Sequence, residues 1–189
     1  GVNTSMMFKY PDGQTLVSLA FLDQHRNASY TFFKNYPEQR FNKALKVPDK
    51  GSIVIFGSFY SLSDAVRRPL TDFLRAAKDI GALLVYDPNI RSPHAAEIPR
   101  LMPRIIENMN LAHIVRASDE DMQNIFGAET EQDAYDRVKR HCQHLIYTRG
   151  GERVALMAPE GHRQWSVPPL QVVSTIGAGD TFNAGLIYS

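Results

Sequence analysis

The chain has 189 residues, enough for a domain with a substantial core, and its 43% hydrophobic and 22% charged content is that of an ordinary globular protein. A net charge of +1 gives no electrostatic case for nucleic acid or a membrane surface as a main partner. The single cysteine, Cys142, excludes an internal disulfide, which fits a reducing, cytoplasmic setting, and the longest apolar runs are far too short to span a bilayer.

In chain order, residues 15–22 and 29–34 are rich in β-branched and aromatic residues and predict two strands. The polar stretch 23–27 joins them into an antiparallel pair. Residues 35–52 are polar and irregular, punctuated by Pro37, Pro48 and Gly51. The aromatic group Phe32, Phe33, Tyr36 and Phe41 reads by default as core packing, with a lid or a dimer surface as the alternatives.

From Ile53 the character changes. Ile53-Val54-Ile55-Phe56 is a continuous apolar run, as expected of a strand buried on both faces. Ser63-Asp64 caps a predicted helix with Val66, Leu70, Phe73, Leu74, Ala77 and Ile80 on one face, closed by Gly81. A second buried strand covers 82–86 and ends in Asp87-Pro88-Asn89-Ile90-Arg91. A Pro-interrupted helical region over 95–109 precedes a third strand over 111–115. Helices are expected over 118–126 and 131–142, and a fourth strand over 145–148. Two further strands, 154–157 and 164–167, lead through Pro168-Pro169 to the last motif. This alternation predicts an α/β domain with a mostly parallel sheet and flanking helices, whose ligands bind beyond the carboxyl ends of the strands. The polar residues just after strands are therefore the candidates: Ser58, Asp87, Asn89, Arg91, Ser118, Asp121, Thr148, Gly150 and Asp180.

The densest chemistry lies in Ser174-Thr175-Ile176-Gly177-Ala178-Gly179-Asp180-Thr181-Phe182-Asn183-Ala184-Gly185. Two glycines allow a sharp turn, and a helix starting near Gly179 offers N–H groups with no internal partner, which with the helix dipole make an anion site. Asp180 sets a carboxylate beside it, where a phosphate and a hydroxyl can meet. The plain alternative is a tight loop with an Asp near a helix start. His141-Cys142-x-His144 lacks a second cluster to complete a metal site and reads as structural. Neither a P-loop nor a Gly-x-Gly-x-x-Gly fingerprint is present.

The 174–185 motif resembles the C-terminal signature of the ribokinase-like (PfkB) sugar kinases. Four other blocks match in order: Gly1-Val2-Asn3-Thr4-Ser5, Gly57-Ser58, Asp87-Pro88-Asn89-Ile90-Arg91 and Thr148-Arg149-Gly150. The third, the Asp-x-Asn-x-Arg block, is similar to that of fructokinase and ketodeoxygluconate-kinase members. The resemblance implies a ribokinase-like α/β fold with a small β lid, residues 1–40 belonging to the lid and its connection and 41–189 to the kinase core. It implies transfer of the ATP γ-phosphate to a hydroxyl of a ketose or sugar acid. Asp180 would be the base, with Gly177, Ala178 and Gly179 supplying donors to the transferring phosphoryl group. Thr148, Gly150 and Ser118 would lie at the nucleotide, and Arg91, Asn89 and Lys34 at the substrate. Mg²⁺ would bridge the phosphates, with Asp121 acting on it through water.

Several positions depart from the pattern. Ser174 stands where relatives carry an Asp that helps hold a monovalent cation, which puts K⁺ activation in question. Ser118-Asp119-Glu120-Asp121 replaces the family's Asn-x-x-Glu, and Arg153 stands where many members have a second Gly. The chain begins without Met and stops at Ser189 inside an expected helix, so part of a longer polypeptide is expected, incomplete at both ends relative to the family. A non-catalytic sugar- or nucleotide-binding relative and an inactive fragment are the competing readings. A homodimer formed through the lid is a further expectation.

Overall fold

The computed structural model describes residues 3–10, 13–22, 24, 28–33, 45–169, 171, 172 and 174–188. Lys34, Gly1, Val2, Tyr36 and Phe41, singled out above, lie outside the described residues, as does the side chain of Phe32. The chain divides into two compact units, Gly1–Asn42 together with Pro169–Ser189, and Lys43–Pro168.

The smaller unit holds an antiparallel pair, β1 (Val17–Leu22) and β2 (Ala28–Phe33), in the expected places. The register sets Val17 opposite Phe33 and Leu19 opposite Thr31. Because side chains alternate along a strand, Val17, Leu19, Phe21 and Phe33 share one face, and all four are exposed. The same unit ends in helix α5 (Ala178–Tyr188).

The larger unit is a six-stranded sheet in sequential order. It comprises β3 (Ile53–Gly57), β4 (Leu83–Asp87), β5 (Ile114–Ser118), β6 (His144–Arg149), β7 (Arg153–Ala158) and β8 (Gly161–Ser166). β3 to β6 run parallel, each crossover carrying helix: α1 (Asp64–Asp79), α2 (Ile98–Leu111), then α3 (Asp119–Phe126) and α4 (Glu131–Val138). The apolar runs become the central strands for the reason the pattern suggested. Leu84, Tyr86, Val115 and Leu145 lose all contact with solvent between Leu74 and Ala77 of α1, Ile105 and Met109 of α2, and Met122 of α3. α1 buries Val66, Leu74 and Ala77 as expected and adds Thr71, whose hydroxyl is satisfied by the Arg67 and Arg68 carbonyls.

Three expectations are corrected. The third strand is Ile114–Ser118, not 111–115, because α2 continues through Leu111 and the strand runs on through a buried arginine, Arg116. The helix expected over 131–142 stops at Val138, whose carbonyl takes the N–H groups of both His141 and Cys142. Strand and helix do not alternate to the end: β6, β7 and β8 form an antiparallel meander closed by tight turns, as short loops require. Cys142 is buried with its thiol toward the Ala112 and His144 carbonyls, and no group of His, Cys, Asp and Glu suited to a metal occurs among the described residues. Nor is any described helix long and apolar enough to cross a membrane.

A polar network outside the sheet fixes the loop after β3. Arg67 of α1 reaches Glu107 and Asn108 of α2 and the Ser61 carbonyl, and the buried Asn108 amide donates to Ser61 Oγ at 3.1 Å. Ser61 Oγ in turn donates to the Ser58 carbonyl at 2.8 Å. Every member has a partner, the condition under which a buried polar network stiffens a fold.

Candidate active site

The carboxyl ends of β3 to β6 line up, so the candidate residues of the larger unit meet along one edge of the sheet. Gly57 pairs with Asp87 across β3 and β4, and Ser118 with Thr148 across β5 and β6. At the first pair the backbones come unusually close. A Cβ on Gly57 would lie 1.8 Å from the Asp87 carbonyl oxygen, so only glycine fits. Ser58 then turns at φ 53 and donates its N–H to that same carbonyl at 2.8 Å, while its hydroxyl accepts from the Tyr60 N–H. Asn89 sits at φ 44, the other non-glycine residue with positive φ among those described. Such conformations cost energy and are held by surrounding structure, and they gather at functional sites. Here both follow strands in the row where ligands of open α/β sheets bind.

Asp121 supplies much of that holding. Its carboxylate accepts from the Ile90 N–H at 2.7 Å with one oxygen, and from the Ser118 N–H at 2.9 Å and hydroxyl at 2.7 Å with the other. Ser118 Oγ also takes the Asp121 N–H at 3.1 Å, which completes a reciprocal capping box at the start of α3. Burial pushes the Asp121 carboxyl above the usual carboxylate range, against the hydrogen bonds from Ser118 and Ile90 and with a further upward push from Asp87. Asp121 thus pins the Asn89-Ile90 turn to α3, and Asn124 completes the attachment by donating to the Ile90 carbonyl. Asp121→Ala is expected to lower stability by about 2–3 kcal/mol, since it strands the Ile90 N–H and opens the cap; urea denaturation with an unchanged midpoint would contradict this.

Arg91 is half-exposed and lies 3.7 Å from Glu120, an open pairing that a competing anion can replace. Thr148 is nearly buried at the end of β6, and Gly150 turns the chain toward β7 at φ 46. Sequence reasoning passed over Arg116. It is 7% exposed, contacts Asp87 Oδ2 at 3.3 Å through one amino group, and donates to Thr148 Oγ1 at 3.1 Å through the other. A lone charge inside an otherwise apolar strand was the available signal, because a buried guanidinium must be paired. The larger unit therefore brings together Ser58, Asp87, Asn89, Arg91, Ser118, Asp121, Thr148 and Gly150.

The last motif belongs to the smaller unit. Ser174 Oγ accepts from the Ile176 N–H at 3.1 Å, and the chain turns at Gly177, φ 77, where an L side chain would be strained. Ala178 donates to the Thr175 carbonyl, and the first bond of full helical span runs from Thr181 N to Gly177 O at 2.9 Å. The Gly179 and Asp180 N–H groups thus fall in the first turn of α5, with no intrahelical acceptor among the described residues. Asp180 is exposed as the third residue of the helix. Anion-binding N–H groups and a solvent-facing carboxylate can together hold a phosphoryl group and receive a proton from a hydroxyl.

A family model described as pfkB family carbohydrate kinase matches residues 1–189. The chain belongs to the pfkB carbohydrate kinases. It is 30% identical over 138 residues to the aminoimidazole riboside kinase of Salmonella typhimurium, across 71% of this chain and 42% of that protein. It is 30% identical over 169 residues to the fructokinase of Rhizobium leguminosarum bv. trifolii, across 86% and 51%. Among solved structures it resembles aminoimidazole riboside kinase from Salmonella enterica, complexed with aminoimidazole riboside and an ATP analog. The TM-score is 0.66 at 28% identity, over 74% of this chain and 48% of that one. Fructokinase from Vibrio cholerae O395, bound to fructose, ADP and a calcium ion, superimposes with a TM-score of 0.80 over 95% of this chain and 59% of that one. At 22% identity that likeness shows the fold alone: a ribokinase-like α/β architecture. The chain spans about half the length of these pfkB relatives.

Proposed function

We propose that this chain carries the catalytic end of an ATP-dependent sugar kinase, which transfers the γ-phosphate to a hydroxyl of a ketose or sugar acid. The observation that carries the reading is the Gly177–Asp180 turn opening α5, in a chain matched from end to end by the pfkB family model. Asp180 is the group to orient the acceptor hydroxyl and take its proton as the P–O bond forms, and the first-turn N–H groups stabilise charge on the phosphoryl oxygens. The turn after β4, held in its strained shape by Asp121, presents Asn89 and Arg91 to the sugar. Thr148, Gly150 and Ser118 form the nucleotide side. Lys34 is kept as a substrate-side residue on family resemblance.

A divalent cation, Mg²⁺ in this reading, supplies charge neutralisation between the phosphates. Such an ion needs few protein ligands, being held by phosphate oxygens and water. Among the described residues no group of His, Cys, Asp and Glu suited to a metal occurs, so this reading leaves the ion to the phosphate oxygens and water. Both Asp121 oxygens are already engaged inside the protein, so its part is to keep Ser118 and the Asn89-Ile90 turn in place, with any effect on the ion passing through water. Ser174 offers a neutral hydroxyl, one lone pair of which takes the Ile176 N–H, where relatives carry a carboxylate, and no role for K⁺ is proposed.

The test is a screen of ketoses, ribosides and sugar acids against the intact protein in a coupled ADP assay. Sugar-dependent ADP release is expected with a ketose or keto sugar acid. Nucleotide binding without release in any arm would favour a non-catalytic relative. The hairpin face of Val17, Leu19, Phe21 and Phe33 supports pairing of two copies through the lid, since exposed apolar strands recruit partners. Sedimentation of the intact protein is expected to give a dimer weakened by Phe21→Lys, and a strict monomer would exclude it.

A further inference from the structure

The buried arginine of β5 has no counterpart in the reading above, which it extends and on which it rests. Arg116 lies on the middle of three adjacent parallel strands, with Asp87 at the end of β4 and Thr148 at the end of β6. Its side chain is 8% exposed and that of Asp87 10%. Buried ion pairs are costly to desolvate, and well-packed apolar residues of similar size usually serve stability as well or better. Stability alone is thus a weak reason for this pair. Its geometry suggests another.

A threonine hydroxyl has one proton to donate and two lone pairs to accept with. Arg116 occupies one lone pair of Thr148 Oγ1 at 3.1 Å with a charged donor. The hydroxyl proton is then turned away from the guanidinium, toward an acceptor, and the adjacent positive charge strengthens it as a donor. Asp87 balances that charge and stops Arg116 from swinging out toward an anion itself. Thr148 stands two residues before the turn at Gly150, on the side assigned to the nucleotide.

We propose that Arg116 is a positioning residue for nucleotide binding: braced by Asp87, it fixes the Thr148 hydroxyl as a donor to a phosphate oxygen of ATP. A guanidinium spans both partners because its amino groups diverge in one plane, and a lysine ammonium cannot reproduce that fork. Arg116→Lys keeps the charge opposite Asp87, and so the fold, but loses the brace.

The test measures MgATP binding to the intact protein by calorimetry, with the unfolding midpoint taken on the same samples. Arg116→Lys and Thr148→Val are each expected to weaken binding by about tenfold, the scale of one hydrogen bond to a charged group. Thr148→Ser, which keeps the hydroxyl, is expected to bind within about threefold of wild type. The Arg116→Lys/Thr148→Val double variant is expected to be no weaker than Thr148→Val alone, because the two act through one contact. The proposal is overturned if Arg116→Lys lowers the midpoint but leaves MgATP affinity unchanged, if Thr148→Ser loses as much as Thr148→Val, or if the two losses multiply. Wild-type protein that binds MgATP but transfers no phosphoryl group removes the kinase reading and leaves the Arg116 proposal standing on the binding data. Wild-type protein that binds no MgATP removes both.

Discussion

Asp180→Asn is expected to lower sugar-dependent ATP turnover by a factor on the order of 10²–10⁴, the range for loss of a positioned general base. The substitution keeps the size and planarity of the side chain and leaves the Gly177 turn and the start of α5 unchanged. What it removes is the carboxylate at the third residue of the helix, where it faces solvent. The cost to stability is expected to be below about 1 kcal/mol, the usual worth of an exposed charge near a helix N-terminus. MgATP affinity is expected to hold, because the N–H groups of the first turn belong to the backbone. Three measurements on one variant therefore separate: turnover collapses, while the urea midpoint and the calorimetric affinity for ATP barely move. Full turnover by Asp180→Asn would remove Asp180 as the base, and the search would pass to the strand ends of the larger unit.

The second large effect is structural and acts within the larger unit. Gly57→Ala places a methyl group 1.8 Å from the Asp87 carbonyl oxygen, 2.6 Å from its carbonyl carbon and 3.0 Å from its nitrogen. All three atoms are backbone, so no flexible side chain is available to yield. β3 and β4 must part at their carboxyl ends, and the Ser58 N–H bond to that carbonyl goes with them. We expect a loss of about 3 kcal/mol, at the upper end for overpacking, read as a lower urea midpoint with an unchanged slope. The displacement also moves Asp87 away from Arg116, so nucleotide affinity is expected to fall together with stability. A variant with wild-type stability would mean that the strands separate freely here and that the close approach has no structural role.

The two substitutions divide the protein in an instructive way. Asp180 lies in a contiguous motif whose chemistry follows from local rules: glycines for a turn, a helix start for donors, a carboxylate in the first turn. Gly57 matters only because Asp87, distant in sequence, is its partner in a parallel ladder. The same division separates Asp121 from its reading in the sequence. The family resemblance implied a metal-directed role for it through water. Its neighbours show a carboxylate committed to Ser118 in its own cap and to the Ile90 N–H 31 residues away.

The sequence alone determined the fold class, the four parallel strands and the row of polar residues at their ends. Strands buried on both faces must be apolar runs, and the polar residue ending such a run marks where the backbone leaves the sheet. Glycines and caps then punctuate the helices, and their rules are local. The tertiary structure decided what depends on register. It placed the charge of Arg116 inside β5, because only the assembled sheet brings Asp87, 29 residues back, and Thr148, 32 residues on, within reach of one guanidinium. It also set the extent of β5, the antiparallel turn-back of β7 and β8, and the full burial of Asp121. A buried charge is tolerable only where its partners already stand, and those positions come from strand pairing rather than from periodicity.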